Sequence, residues 1–356
     1  MTLSPPSPTA DTDQIRQKVD TLLEDFLHTQ ENSADLPELD LFIGLLRDHL
    51  AAGGKRIRPL MCITGWYTAT DQEPPPLIYR AAASLELFHA FALIHDDIMD
   101  DSATRRGRPT AHRALAALHA HHPDPDTFGI NAAILLGDLA FGWSYDLLHA
   151  TSTDAGNLTA TWPVLNALRT ETLIGQYLDL HAAGQPTPDA TLPWRVIRYK
   201  TAKYTIERPL HLGASLAGAD PDLLTTLTAY ALPLGEAFQL RDDLLGVFGD
   251  PQHTGKSTLE DLRDGKHTVL IATALARATP AQQHLLLSHL GTPQLTPTAA
   301  TAIRDVLEAT GARDIVEQMI RDRCHRALEA LQHAPVQPQA KTHLQQMARR
   351  LTDRIS

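Results

Sequence analysis

LELFHAFALIHDDIMDDSATRRGRP, residues 85–109, joins an apolar helical run to four acids and a pair of arginines. Asp96 and Asp100 stand four residues apart, so on a helix they share a face. Two carboxylates on one face, at the end of a segment apolar enough to be buried, repel each other unless a cation intervenes. Hard oxygen ligands of this kind suit Mg²⁺, which takes one or two protein carboxylates and completes its shell with water and substrate phosphate. Arg105 and Arg106 follow within the same short segment. The stretch predicts a long helix that ends at a diphosphate–magnesium site.

Further along, a second acidic pair, Asp242 and Asp243, lies in FQLRDDLLGVFGDP, with Gln239 three residues before Asp242. A bare Asp-Asp pair on a helix is ordinarily a solvated face. Both pairs here interrupt strongly apolar helices, and both are followed by cations, Arg105 and Arg106 after the first and Lys256 and Lys266 after the second. GGKRIRP adds Lys55, Arg56 and Arg58, and RYKTAKYT adds Lys200, Thr201 and Lys203. Taken singly, each basic motif is a solubilising surface. Together they suit a polyanion, held by Arg forks, Lys point charges and Mg²⁺ bridging to carboxylate.

Composition narrows the setting. At 356 residues the chain has room for one large domain or two smaller ones. A formal net charge of −11 argues against a nucleic-acid partner, which favours a basic footprint. Cys62 and Cys324 offer neither a disulfide framework nor metal-ligand spacing, which fits a reducing compartment. The opening MTLSPPSPTADTD lacks a signal-peptide pattern, and residues 1–13 read as a disordered tail. No transmembrane segment is expected, since no apolar run approaches the roughly 20 residues that span a bilayer. A cytoplasmic location follows as the expectation.

Helical periodicity runs through nearly the whole chain, over 15–27, 39–50, 77–100, 109–118, 131–149, 162–182, 192–217, 221–247 and five further segments from 268 to 354. Most prolines fall between periodic segments, but Pro209 sits inside one and should kink it. No alternating strand pattern stands out. Residues 14–356 therefore read as a single all-α domain, with enough helices to enclose a central cavity.

Five motifs in order, GGKRIRP at 53–59, the opening stretch at 85–109, GDLAF at 137–141, KTAKYT at 200–205 and FQLRDDLLGVFGDPQHTGK at 238–256, resemble the trans-type isoprenyl diphosphate synthases of the polyprenyl synthetase family. The resemblance covers residues 53–267. It implies the isoprenoid synthase helical bundle, a homodimer, and head-to-tail condensation of isopentenyl diphosphate with an allylic diphosphate. Three Mg²⁺ are implied, with Asp96, Asp97, Asp100, Asp242 and Asp243 as the metal-binding acids. Arg105, Lys200 and Lys256 are implied as contacts of the allylic diphosphate, and Lys266 matches a second basic position. Lys55, Arg58, His89 and Arg106 are implied as the isopentenyl diphosphate site, with Thr201 and Gln239 near the reacting carbons and departing diphosphate.

Phe91 and Ala92 lie five and four residues before Asp96, and Phe88 lies eight before it. In the family, side chains at these depths stop the growing prenyl tail. One aromatic five residues before the motif beside a small residue resembles the class whose product is geranylgeranyl diphosphate (C20), with farnesyl diphosphate (C15) as the alternative. One departure is plain. The second motif reads Asp242-Asp243-Leu-Leu-Gly246, where the family has a third aspartate. Asp261 or Asp250 is a candidate to compensate. A class I terpene cyclase or a non-catalytic synthase subunit are the competing readings. The isopentenyl diphosphate site argues against the first, and the intact first acidic motif with its arginine pair argues against the second.

Overall fold

Proline and threonine set the helix boundaries. A computed structural model describes residues 12–33, 35–149, 155–249 and 258–352. Pro37, Pro76, Pro125, Pro221, Pro280, Pro297 and Pro338 each open a helix, a position where the missing N–H is not needed and the fixed φ is already helical. Thr268, Thr279 and Thr296 cap three helices through their hydroxyls, and Thr279 forms a full capping box with Gln282. The all-α expectation holds among the described residues, with one exception, a two-stranded antiparallel ribbon. Thr12 and Asp13, placed in the tail by their sequence, open the first helix, while the rest of that tail lies outside the described residues.

The chain divides into two compact units. The first comprises Met1–Trp162 and Pro209–Ala219. Its helices are α1 (Thr12–Glu31), α2 (Pro37–Ala51), α3 (Ile57–Ala69), α4 (Pro76–Met99), α5 (Ala111–Leu118) and α6 (Pro125–His149), with strands β1 (Thr104–Arg105) and β2 (Arg108–Pro109) between α4 and α5. The expected start of α6 near Asn131 falls a turn and a half late, because Pro125 supplies the start signal. Central to this unit is α4, packed against α1, α3 and α6 and burying Leu85, Leu87, Phe88, Phe91 and Ile94. By length and mean hydropathy α4 could cross a membrane, contrary to the sequence expectation. Its most apolar window is 72% buried inside the protein, as in a core helix. Glu86, within that window, is answered by buried Arg56 at 2.8 Å, and Arg56 also donates to Asp20 and to the Leu50 carbonyl. Removing either partner of such a buried pair costs about 3–5 kcal/mol, because the other charge is stranded.

The second unit comprises Pro163–Arg208 and Asp220–Ser356. The helix α7 (Ala155–Ala182) runs into it. Within it follow α8 (Thr191–Val196), a π-helix (Ile197–Glu207), α10 (Pro221–Phe248), the single turn α11 (Glu260–Arg263) and five more helices, α12 (Val269–Arg277), α13 (Pro280–His289), α14 (Pro297–Ala309), α15 (Ala312–Gln332) and α16 (Pro338–Thr352). The ninth helix, α9 (Arg208–Leu216), follows the π-helix directly and belongs to the first unit from Pro209 onward. The sequence reading of one α-helix over 192–217 is thus corrected. The KTAKYT motif lies on a π-helix, a form concentrated at functional sites, and the return to α-helix falls immediately before Pro209.

Two glycines admit this wider helix. A Cβ on Gly175 of α7 would lie 2.4 Å from the Lys200 nitrogen, and one on Gly235 of α10 would lie 2.4 Å from the Ala202 Cα. Both clashes are with backbone, which cannot swing aside. Gly235→Ala is expected to destabilise the protein by about 1–3 kcal/mol, the usual cost of overpacking. Urea unfolding checks it, and a loss below about 0.5 kcal/mol would show that the π-helix tolerates displacement.

Candidate active site

The last turn of α4 concentrates negative charge where the helix dipole already disfavours it. Asp97 is 2% exposed and its carboxylate is taken by Arg105, whose Nε donates to Oδ1 at 2.8 Å and to Oδ2 at 2.9 Å. Burial pushes the Asp97 carboxyl up and Arg105 pulls it back. Arg105 also reaches Asp96 Oδ2 at 3.4 Å. Asp96 and Asp100 remain half-buried on the same face, one turn apart. The structure therefore separates the three acids. Asp97 positions Arg105, while Asp96 and Asp100 stand half-buried beside that pair.

Beyond Asp100 the chain turns back sharply. Asp101 has φ 50° and accepts from Arg113 at 2.6 Å, and the ribbon that follows pairs Arg105 with Arg108. Its turn is Arg106-Gly107, both at positive φ, the conformation that makes a two-residue hairpin match strand twist. Among the described residues, the non-glycine residues at positive φ, Arg56, Asp101 and Arg106, lie in two of the three motif segments of this unit. Such backbone strain gathers at functional sites and persists only where surrounding contacts hold it.

Cations converge beside this turn. His89 is pushed well below its ordinary value by burial, then by Arg58, His49, Arg106 and Arg105. His49 is pushed down to about 4 by burial, with Arg105, Arg106 and Arg56 adding to it. Arg106, whose guanidinium lies over Gly54, is itself pushed down by burial and by Arg105. Like charges assembled at this density call for a polyanion. His49, in the last turn of α2, was missed by sequence reading, since it lies outside GGKRIRP. Of that motif's own residues, Lys55 is exposed and Arg56 is structural.

Below the acids, Phe88, Phe91 and Phe141 form a triangle, with ring centroids 5.4, 5.9 and 5.0 Å apart, and Phe91 meets His95 edge-on at 4.7 Å. Ala92 is half-buried beside them. Phe141, the last residue of GDLAF, joins the two phenylalanines read from sequence. The first residue of that motif, Gly137, leaves the space that the His95 ring fills, since a Cβ there would lie 2.3 Å from Nε2.

In the second unit, Thr201 donates to Gln239 Oε1 at 2.7 Å, and Gln239 Nε2 donates to Asp243 Oδ1 at 2.8 Å. Three residues named from sequence thus form one relay from the π-helix to α10. Asp243 is buried, and burial pushes its carboxyl up to about 8, against the pull of the Gln239 bond and with Asp261 and Asp242 adding to the rise. Asp242 is half-buried. Lys200 pairs with Asp179, and Glu171 takes both Lys203 at 2.7 Å and Arg208 in a two-pronged contact. Asp179 and Glu171 on α7 had no sequence signal beyond a helical spacing. Lys266 pairs with Asp261 at 3.2 Å. Lys256 and Asp250 lie outside the described residues.

The donor chemistry fits Mg²⁺. Among the described residues no three His, Cys, Asp or Glu side chains converge into a closed cage, whereas Mg²⁺ asks for one or two carboxylates and takes the rest from water and phosphate. Asp96 and Asp100 in one unit and Asp242 in the other are carboxylates of that kind.

Comparison with known proteins agrees with this chemistry. The sequence pattern of one family, described as polyprenyl synthetase, matches residues 41–308. A geranylgeranyl diphosphate synthase of Saccharolobus solfataricus is 32% identical over 67% of this chain and 68% of its own length. A geranylfarnesyl diphosphate synthase of Aeropyrum pernix is 32% identical over 80% of this chain and 85% of its own. Among solved structures, a geranylgeranyl pyrophosphate synthase of Corynebacterium glutamicum, complexed with isoprenyl diphosphate and magnesium, superposes with a TM-score of 0.92. It is 40% identical, over 97% of this chain and 100% of that one.

The depressed histidine has a consequence for stability. Between pH 6.5 and about 4 the unfolded chain binds a proton at His49 that the folded chain refuses. Stability contributed there is present above pH 6.5 and falls as the pH drops, by up to about 1.4 kcal/mol per pH unit. His49→Gln is expected to remove up to one proton's worth of that slope in denaturant unfolding measured across the window. An unchanged slope would place His49 in a solvated setting.

Proposed function

The chain belongs to the polyprenyl synthetase family and is a prenyltransferase, and on that premise we propose that it condenses isopentenyl diphosphate with allylic diphosphates to make geranylgeranyl diphosphate. The observation that carries the product length is the aromatic triangle of Phe88, Phe91 and Phe141 beneath Asp96 and Asp100. Phe91 lies about 7.5 Å and Phe88 about 12 Å down the helix axis from Asp96, at 1.5 Å per residue. Phe141 braces Phe91 from α6, so the tail meets a wall of rings and not a single movable side chain. The similarity to two geranylgeranyl synthases supports the C20 reading, while the geranylfarnesyl relative marks a longer product as its nearest competitor.

In this reading Asp96 and Asp100 would hold Mg²⁺ for the allylic diphosphate, and Asp242 would hold a further ion. The bound metal would supply charge neutralisation of the departing diphosphate. Arg105, fixed by Asp97, and Lys200, fixed by Asp179, contact that diphosphate and stabilise the charge it gains as its C–O bond breaks. Arg58, His89 and Arg106, with Lys55, receive isopentenyl diphosphate. The C3–C4 double bond of isopentenyl diphosphate forms the new carbon–carbon bond, and the proton lost from C2 passes to the departed diphosphate. Thr201 and Gln239, bonded to each other and anchored through Gln239 on Asp243, orient polar atoms near the reacting carbons. Apolar walls keep water from the cationic carbon. The family match runs through both compact units, which supports reading residues 14–356 as one synthase domain. The same family reading carries the proposal of three Mg²⁺, a homodimer and a cytoplasmic setting.

Incubation with isopentenyl diphosphate, Mg²⁺ and each allylic primer in turn, followed by product chain-length analysis, tests the proposal. Geranylgeranyl diphosphate is the expected main product, and no prenyl diphosphate from any primer would sink it. Asp96→Ala is expected to lower turnover by about 100-fold or more, the scale of losing one stabilising charge. Phe91→Ala and Phe141→Ala should each shift the product distribution toward longer chains. If only Phe91→Ala does so, Phe141 is a bystander of the core.

A further inference from the structure

Gln239, Arg241 and Asp242 lie within one turn of α10, and the first two are held from different sides. Gln239 accepts from Thr201 of the π-helix at 2.7 Å. Arg241, two residues on, stands about 200° around the helix from Gln239. Its two terminal nitrogens donate to the two carboxylate oxygens of Glu317, at 2.6 and 2.8 Å. Glu317 belongs to α15 and lies beyond residue 308, where the family pattern ends. Water has little access to this fork, whose side chains are 18% and 28% exposed. The same C-terminal helices hold the end of α10 in two further places. Arg304 of α14 donates to the Val247 carbonyl at 2.7 Å, and the Arg313 guanidinium of α15 lies 4.6 Å over the Phe248 ring.

Apolar contact has no direction, so burial of Leu240, Leu244 and Val247 does not by itself fix how α10 is turned about its axis. A two-pronged ion pair is directional, and setting register is the best-attested use of such pairs away from water. Anchors on nearly opposite sides of the helix resist rotation in both senses. We propose that Glu317 is a positioning residue of the second acidic motif: its fork on Arg241 sets the rotation of α10 at which Asp242 faces its ligand. This rests on the diphosphate–magnesium reading above. It gives the C-terminal helices a part in the site without any contact with substrate.

A cycle of variants of the full chain separates this role from ordinary stability. The probe is inorganic pyrophosphate with Mg²⁺, followed by titration calorimetry, with the metal-free Tm measured alongside. Glu317→Ala is expected to weaken half-saturation by Mg²⁺ about tenfold, the lower end of what losing a ligand's supporting partner does. The metal-free Tm should fall by no more than about 4 °C, the scale of one partly exposed ion pair. Glu317→Gln keeps the shape and can still accept one of the two hydrogen bonds, so it should fall between Glu317→Ala and wild type. In an Asp242→Ala background, Glu317→Ala should change the Mg²⁺ response by less than about twofold, because losses along one chain of contacts do not add. The inference is overturned if Glu317→Ala and Glu317→Gln both stay within about twofold of wild type, or if Glu317→Ala costs as much without Asp242 as with it. Should wild type give no Mg²⁺ response with pyrophosphate, or Asp242→Ala leave that response intact, the diphosphate–magnesium reading of this unit falls and this inference with it. A response weakened by Asp242→Ala but by neither Glu317 variant removes this inference alone.

Discussion

A helix that ends in carboxylates must find cations, because its own dipole places negative partial charge at the same end. In α4 the demand is acute, since nearly everything before Asp96 is buried and the helix end cannot fray into water to relieve it. Arg105 answers Asp97, and that one ion pair fixes the start of the β-ribbon, the strained turn at Arg106 and the direction in which the arginine pair faces. Asp96 and Asp100 stand half-buried on the same face, one turn apart. The same logic runs in reverse on the cation side, where His49 and His89 are pushed below their ordinary values first by burial and then by the arginines around them.

Much of this was legible in sequence because it obeys local rules. The helices follow their apolar period, and prolines mark their starts. The acid–arginine stretch at 85–109 specifies its own chemistry. What escaped the sequence depends on contacts between segments. The ribbon was invisible because each strand has two residues and its turn uses Arg106, where Asn or Gly would have announced it. The π-helix has no signature in spacing; only the glycines at 175 and 235 betray it, and their meaning depends on what faces them. His49, Phe141 and Asp179 each belong to a site through a neighbour far along the chain, and one sequence offers no way to pair them.

Glycine in this protein is best understood through its neighbours. At 175 and 235 it accepts a backbone, at 137 an imidazole ring, and at 246 a carboxylate. Each is a complementary shape, so the residue that looks absent is the half of a contact whose other half sits on another element. Where a family pattern has a side chain and this chain has glycine, the informative question is what entered.

The π-helix also carries a consequence for how this chain can change over time. Its hydrogen bonds skip one residue more than an α-helix, which amounts to a residue inserted into a regular turn between Ile197 and Glu207. Deleting any residue from that segment would let it relax to α-helix and turn side chains within it by up to about 100° relative to the helices they face. Lys200 and Thr201 could then no longer face Asp179 and Gln239 together. The segment is therefore closed to single-residue gaps, even where each of its side chains could individually be replaced. Length here is inherited as strictly as identity.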